Sequence, residues 1–291
     1  MQYRHFGKLN LKPSVLGFGA MRMPVIDGKY DQINIDEAIR MIRYAIDNGV
    51  NYIDTAWGYH DGKSEPLVGM ALKDGYREKV MLATKNPTWH IHKTEDWDYY
   101  LNEQLKRLET DHIDFYLQHA LDKNGWEKFK RLGLWEKAME AKKAGKIKYI
   151  GFSFHDDYEV FADILDTYDW DFCQIQLNYL DTDYQAGLKG LEKAASKNIG
   201  VVIMEPLRGG RLANGLPDFI IRSMEEYPVK RNPVDWALRW LANLPGVSTI
   251  LSGMSTFEQV EENIKLCSSP DMGPNKMSKE EVDFILDLAD R

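Results

Sequence analysis

Eight short apolar runs recur along the chain, and amphipathic stretches of helical period separate them. The runs are 15–19 (VLGFG), 51–56 (NYIDTA), 80–85 (VMLATK), 113–119 (IDFYLQH), 147–153 (IKYIGFS), 172–177 (FCQIQL), 200–205 (GVVIME) and 248–253 (STILSG). Each is hydrophobic almost without alternation, as expected of strands covered on both faces in a parallel sheet. Successive starts lie 25–36 residues apart until the last interval, which is the length of one strand-plus-helix unit.

The intervening helices have legible ends. Asn34 with Glu37 three residues on opens the first, Ile35, Ala38, Ile42, Ala45 and Ile46 follow at helical spacing, and Gly49 closes it. Asn232-Pro233 opens another, and Ser278 with Glu281 forms a capping box for a helix at the C-terminus. The glycine- and proline-broken stretch 206–231 reads as a long loop over one end of the sheet, with a short helix at 218–226.

Eight units without reversal specify a (β/α)8 TIM barrel, with 1–291 as a single domain. A doubly wound open sheet is the alternative, but it would carry a glycine-rich fingerprint after its first strand. Here Gly17-Phe-Gly19-Ala-Met-Arg22 has arginine in place of the third glycine. A 44% hydrophobic, 28% charged composition is that of a soluble globular protein, and a net charge of −8 weighs against nucleic acid or an anionic membrane as partner. No apolar run reaches the roughly 18 residues of a membrane helix. The start of the chain has no apolar signal segment, so a cytoplasmic location is expected. Cys173 falls in a strand and Cys267 at a helix end, an arrangement that argues against a disulfide framework. His90-x-His92 lacks cysteine or carboxylate partners at ligand spacing and reads as a polar loop.

In such a barrel the chemistry sits at the C-terminal strand ends. Those positions hold Asp54 on the second strand, Tyr59 just after it, Lys85 on the third and His119 on the fourth. A phenol titrates near 10, too high for ready proton exchange at neutral pH. An adjacent lysine ammonium favours the phenolate, a carboxylate holds that lysine charged, and an imidazole hydrogen-bonds a carbonyl oxygen. Tyr59 is thereby expected to be a general acid facing a polarised carbonyl.

These residues carry a resemblance. DTAWGY ending at Tyr59, Lys85 after VMLAT, and His119 in DFYLQHA resemble the Asp/Tyr/Lys/His tetrad of the aldo-keto reductase family. The resemblance extends from Tyr3–Gly7, similar to that family's N-terminal β-hairpin that plugs the barrel, to the helix after strand 8 and the additional C-terminal helix. It implies a small carbonyl or alcohol substrate and a hydride from a nicotinamide cofactor, NADP(H) by family habit with NAD(H) as the alternative. By the same resemblance the cofactor residues are Gly19, Met21, Arg22, Asp54, Ser153, Gln174, Met204, Pro206, Leu207, Gly209, Gly253, Ser255, Gln259, Glu262 and Asn263.

Three departures from the pattern stand out. Phe154 replaces the usual asparagine beside the serine, which leaves the nicotinamide carboxamide to fewer side chains or to Asn178. Met204 stands where the family stacks an aromatic ring on the nicotinamide. Gly253 and Gln259 occupy places where some members carry basic residues for a 2′-phosphate. Thr256 and Gln259 also form an ordinary capping box. Arg208 and Arg211 could add charge at the pyrophosphate, and Trp57 and Trp89 fall where they could line a substrate pocket. Trp126 and Trp135 read as packing residues.

MRMP after strand 1, EPLRGG after strand 7 and GMSTFEQVEEN after strand 8 resemble a prokaryotic branch of the family. Its members often carry an additional ferredoxin-like iron–sulfur segment, and no cysteine cluster for one is present in these residues. Some relatives bind cofactor tightly and turn over poorly. A redox-sensing or regulatory protein is therefore the alternative to an enzyme.

Overall fold

The structure is a computed structural model that describes residues 1–290. Eight strands form β1 (Leu16–Gly19), β2 (Tyr52–Asp54), β3 (Met81–Asn86), β4 (Ile113–Leu121), β5 (Ile147–Phe154), β6 (Phe172–Gln176), β7 (Gly200–Met204) and β8 (Val247–Ser252). They pair in parallel in sequence order and β8 closes on β1. The expected barrel is therefore the observed one. Every residue of β1, β2, β6 and β8 is buried, which accounts for their unalternating hydrophobicity. β2 is shorter than its apolar run because the chain leaves the sheet at Thr55.

Two apolar cores result. The larger lies between the strands and the surrounding helices. The smaller fills the barrel interior with Phe6, Tyr52, Phe115, Leu117, Phe172, Val202 and Leu251. Phe6 comes from an N-terminal hairpin, held by the bridges Tyr3–Ser14 and Phe6–Leu9, and its ring lies 4.8 Å from that of Phe115. A Cβ on Gly200, the first residue of β7, would come within 2.2 Å of the Phe6 ring. Only glycine admits the plug there, and the interior is sealed at its N-terminal end.

The caps form largely as the sequence predicts. Asn34 accepts a hydrogen bond from Glu37 N at 3.3 Å at the start of the helix Ile35–Asp47, and Gly49 leaves it at φ +92. Asn232 caps Pro233–Asn243, and the Ser278–Glu281 capping box opens Lys279–Ala289. The long connection after β7 contains short helices Arg211–Asn214 and Asp218–Glu226. Cys173 and Cys267 are both free and buried. Among the described residues no helix is long and apolar enough to cross a membrane.

Candidate active site

The C-terminal end of β2 presents Asp54 beside Ala83 of β3, so Lys85 reaches the same mouth two residues farther along β3. Beyond β2, Tyr59 opens a turn in which His60 (φ 52), Asp61 (φ 53) and Gly62 (φ 86) are all left-handed. Two successive non-glycine residues in that region cost roughly 1–2 kcal/mol each, so side-chain contacts must hold the turn. His119 lies where the β4–β5 register shifts between Gln118 and Leu121, with Ala120 at φ +51. A bulge of this kind re-aims a side chain at a barrel rim. Thr88 Oγ1 fixes it from one side by donating to His119 O at 2.7 Å.

Lys85 is the centre of the arrangement and has no solvent exposure. Its ammonium donates to Asp54 Oδ1 at 2.6 Å, to Thr55 O at 2.8 Å and to Tyr59 Oη at 3.2 Å. An ammonium has three N–H donors and no acceptor. All three are engaged, and the phenol oxygen accepts one of them. The Tyr59 O–H is thereby left as a donor toward the mouth.

Burial pushes the Tyr59 phenol above its ordinary range, while Lys85 pulls it back. The tyrosine therefore holds its proton at neutral pH. Burial alone would lower the Lys85 ammonium, but Asp54 and then Tyr59 outweigh it and keep the lysine charged. Burial also raises the Asp54 carboxyl, against the pull of Lys85. His119 is held well below its ordinary value by burial, then by Lys85 and His155, so its imidazole is neutral. Its ring meets that of Tyr59 edge-on at 5.9 Å, and its Nδ1 is buried without a protein partner. Trp89 packs on the outer side of His119 at 4.9 Å and is 46% exposed.

Behind Lys85 lies a buried polar network that the sequence did not reveal. Glu65, wholly buried, accepts from Thr84 Oγ1 at 2.7 Å, Gln104 Nε2 at 2.5 Å and Arg107 at 3.3 Å. Gln104 also donates to Lys85 O at 2.9 Å. The Arg107 guanidinium lies 3.3 Å over the Trp57 ring, in the loop that carries Tyr59. No local signal marks Glu65 as buried, because its partners come from β3 and the helix Thr94–Arg107.

The residues assigned to a cofactor fall into two adjoining groups. Ser153 and Gln174 are register partners on β5 and β6, and Gln174 Nε2 lies 3.5 Å from Met204 Sδ. Ser153 Oγ accepts from Ala120 N at 2.7 Å, which leaves its own proton available. Gln174 Oε1 is buried without a partner. Phe154 is fully buried in the core outside the site. Asn178, the other candidate for the carboxamide, is engaged within its own turn. Its oxygen accepts from Leu180 N and Asp181 N, and its amide donates to Asp181 and Glu205 O.

The second group lies where β1 meets β8. Gly19 ends β1, Met21 is 47% exposed, and Arg22 packs so close to Gly253 that a Cβ there would lie 3.2 Å from its side chain. Ser255 Oγ donates to Arg22 O at 2.9 Å, and Asn263 Nδ2 to Ser252 Oγ at 3.0 Å. Gln259 Oε1 accepts from Ser255 N at 2.8 Å, one residue before the expected capping-box partner. Glu262, exposed on the helix that carries Gln259, accepts from Asn232 Nδ2 at 2.6 Å. Between the groups, buried Pro206 and half-buried Leu207 lead into left-handed Arg208, Gly209 and Gly210. A cleft of about 620 Å³ opens here, lined by Arg22, His155, Gln176, Asp181, Arg208 and Arg211 among others.

Residues 15–279 match the model of the Aldo/keto reductase family. The chain belongs to the aldo/keto reductase family. It is 27% identical over 308 residues to an uncharacterized oxidoreductase, YrpG, of Bacillus subtilis, spanning 91% of this chain and 90% of that protein. An aldo-keto reductase of Bacillus halodurans, in its holo form, superposes with a TM-score of 0.82 at 26% identity, covering 99% of this chain and 96% of that one. The aldo/keto reductase of Klebsiella pneumoniae in complex with NADP and acetate gives 0.77 at 25% identity, covering 99% and 95%.

Proposed function

We propose that this aldo/keto reductase reduces an aldehyde or ketone, with Tyr59 as the general acid. The observation that carries the reading is the engagement of all three Lys85 donors, one of them on the phenol oxygen. That leaves the phenol O–H as a hydrogen-bond donor next to a neutral imidazole. Asp54 keeps Lys85 charged, and Lys85 steadies the negative charge that grows on the phenol oxygen as its proton leaves. His119 donates to the substrate oxygen and orients it toward Tyr59. In the reverse direction the same groups take the proton from an alcohol.

A bound nicotinamide cofactor supplies the hydride to the carbonyl carbon. The residues present fit one. Gln174 Oε1, a buried acceptor without a partner, matches a carboxamide N–H donor, and Ser153 still has its proton to give. Met204 offers a polarizable thioether to a ring face. Arg22, Leu207, Gly209 and the nearby Arg208 and Arg211 suit the pyrophosphate, and Ser255, Gln259, Glu262 and Asn263 the adenosine end. The relative solved with NADP supports NADP(H). NAD(H) is the competing choice, because Gly253 and Gln259 give no positive charge for a 2′-phosphate.

The test is fluorescence titration with NADPH and then NADH, followed by steady-state oxidation of the tighter one with a panel of aldehydes and ketones. Binding together with turnover of at least one carbonyl supports the reading. Tight binding without turnover would favour a sensor, and failure to bind either nucleotide overturns both.

A further inference from the structure

His60 follows Tyr59 directly and has no solvent exposure, yet it belongs to none of the groups above. Its side chain points under the loop that leaves β1, a segment closed by the bridge Val25–Ile33. Nδ1 lies 2.5 Å from Tyr30 O, and Nε2 lies 3.2 Å from Met23 N. The ring stacks on the Tyr30 ring at 4.4 Å and 19°.

The two partners fix the tautomer. A backbone N–H can only donate, so Nε2 is unprotonated. A carbonyl oxygen can only accept, so Nδ1 carries the hydrogen. Burial holds the imidazole below its ordinary value, against the pull of the Tyr30 carbonyl and of Asp61. The neighbouring contacts run the same way. Ser64 Oγ donates to Ala20 O at 3.0 Å, and Lys63 pairs with Asp31 at 3.2 Å. The left-handed turn after Tyr59 is thus tied to the β1 loop at three points, of which only His60 is both buried and adjacent to Tyr59. That loop carries Met21 and Arg22.

We propose that His60 is a positioning residue for the reaction: its Nδ1–H tautomer locks the turn bearing Tyr59 to the loop bearing Met21 and Arg22. The inference rests on Tyr59 as the acid. The lock acts by keeping the strained turn in one conformation, so that the phenol stays within reach of Lys85. A displacement of about 1 Å at a reacting group lowers turnover by up to roughly a hundredfold.

Nitrogen-15 NMR of the histidine-labelled protein at neutral pH reads the tautomer directly. A pyrrole-type Nδ1 and pyridine-type Nε2 at His60 are expected, and the opposite assignment overturns the proposal. His60→Ala is expected to lower the single-turnover reduction rate roughly tenfold to a hundredfold. His60→Asn, whose amide reaches the Nδ1 position, and His60→Gln, whose oxygen reaches the Nε2 position, each restore part of that loss. In a Tyr59→Phe background the His60 change has no further effect, because it acts through the phenol. An equal loss in both backgrounds means a general structural role and overturns the proposal. Should His60→Ala fail to fold, the Asn and Gln variants complete the same cycle. Full activity of Tyr59→Phe alone removes the acid assignment instead, and the NMR result still decides the tautomer.

Discussion

The Asp54 carboxylate and the Lys85 ammonium lie 2.6 Å apart, with side-chain exposures of 3% and 0%. A pair removed from water in this way is strongly interdependent. Taking away one partner leaves a buried charge uncompensated, at about 3–5 kcal/mol. Lys85→Met is therefore expected to lower unfolding stability by that amount and to abolish reduction. Adding Asp54→Leu to it removes the stranded carboxylate and recovers most of the stability without any of the activity. Urea unfolding monitored beside turnover checks both halves. Recovery of activity in the double variant would show that the pair only supports the fold.

Glu65 joins β3 to the helix Thr94–Arg107 behind the site. Glu65→Ala leaves Gln104, Thr84 and Arg107 without their shared acceptor, and a loss on the order of 3 kcal/mol is expected. The Arg107 guanidinium, then left with only its bond to Trp57 O at 3.4 Å, should also shift on the Trp57 ring it now covers at 3.3 Å. A change in Trp57 emission, identified by comparison with Trp57→Phe, is the accompanying signal. Unchanged emission would show that Arg107 stays on Trp57 without Glu65.

Gln174 offers an opposite case. Its buried, unpartnered Oε1 contributes nothing to the free protein, so Gln174→Leu should leave stability unchanged or raise it by about 1 kcal/mol. If that oxygen receives the carboxamide, NADPH affinity falls about tenfold, the equivalent of 1.4 kcal/mol. Calorimetric binding and thermal unfolding of one variant separate the two effects. Unaltered affinity would remove Gln174 from the cofactor site.

Stability should fall on the acid side. His60, His119 and His155 all lie below the ordinary value of 6.5, each first through burial. Between the folded and unfolded values the unfolded chain binds more protons. The histidine contribution is thus fully present above pH 6.5 and is lost as pH falls through the folded values. Denaturation midpoints measured from pH 8 to pH 5 should decline below about 6.5, and His119→Asn should flatten that decline. A decline of equal slope in the variant would place the proton uptake elsewhere.

The barrel was legible because its signals are local. Strands buried on both faces read as unbroken apolar runs, and the Asn34, Asn232 and Ser278 caps involve partners three residues away. Asp54, Tyr59, Lys85 and His119 could be brought together on paper because strand ends share one mouth. What stayed hidden depends on distant backbone atoms. Thr55 O as the third Lys85 acceptor, the Tyr30 and Met23 contacts of His60, and the engagement of Asn178 by its own turn leave no trace in residue type. Glu65 reads as an ordinary helix carboxylate until β3 and the helix Thr94–Arg107 close around it. Gln259 and Glu262 likewise carry the right side chains, yet their present partners are Ser255 N and Asn232.

The Tyr59 O–H is the proposed proton source. Tyr59→Phe keeps the ring and removes only that group, so the most direct measurement is a single-turnover reduction rate with nucleotide affinity determined on the same sample. Unchanged nucleotide affinity and a rate lower by about 10²–10⁴ are expected. A Tyr59→Phe protein that binds nucleotide normally and reduces the carbonyl at the parent rate would contradict the assignment.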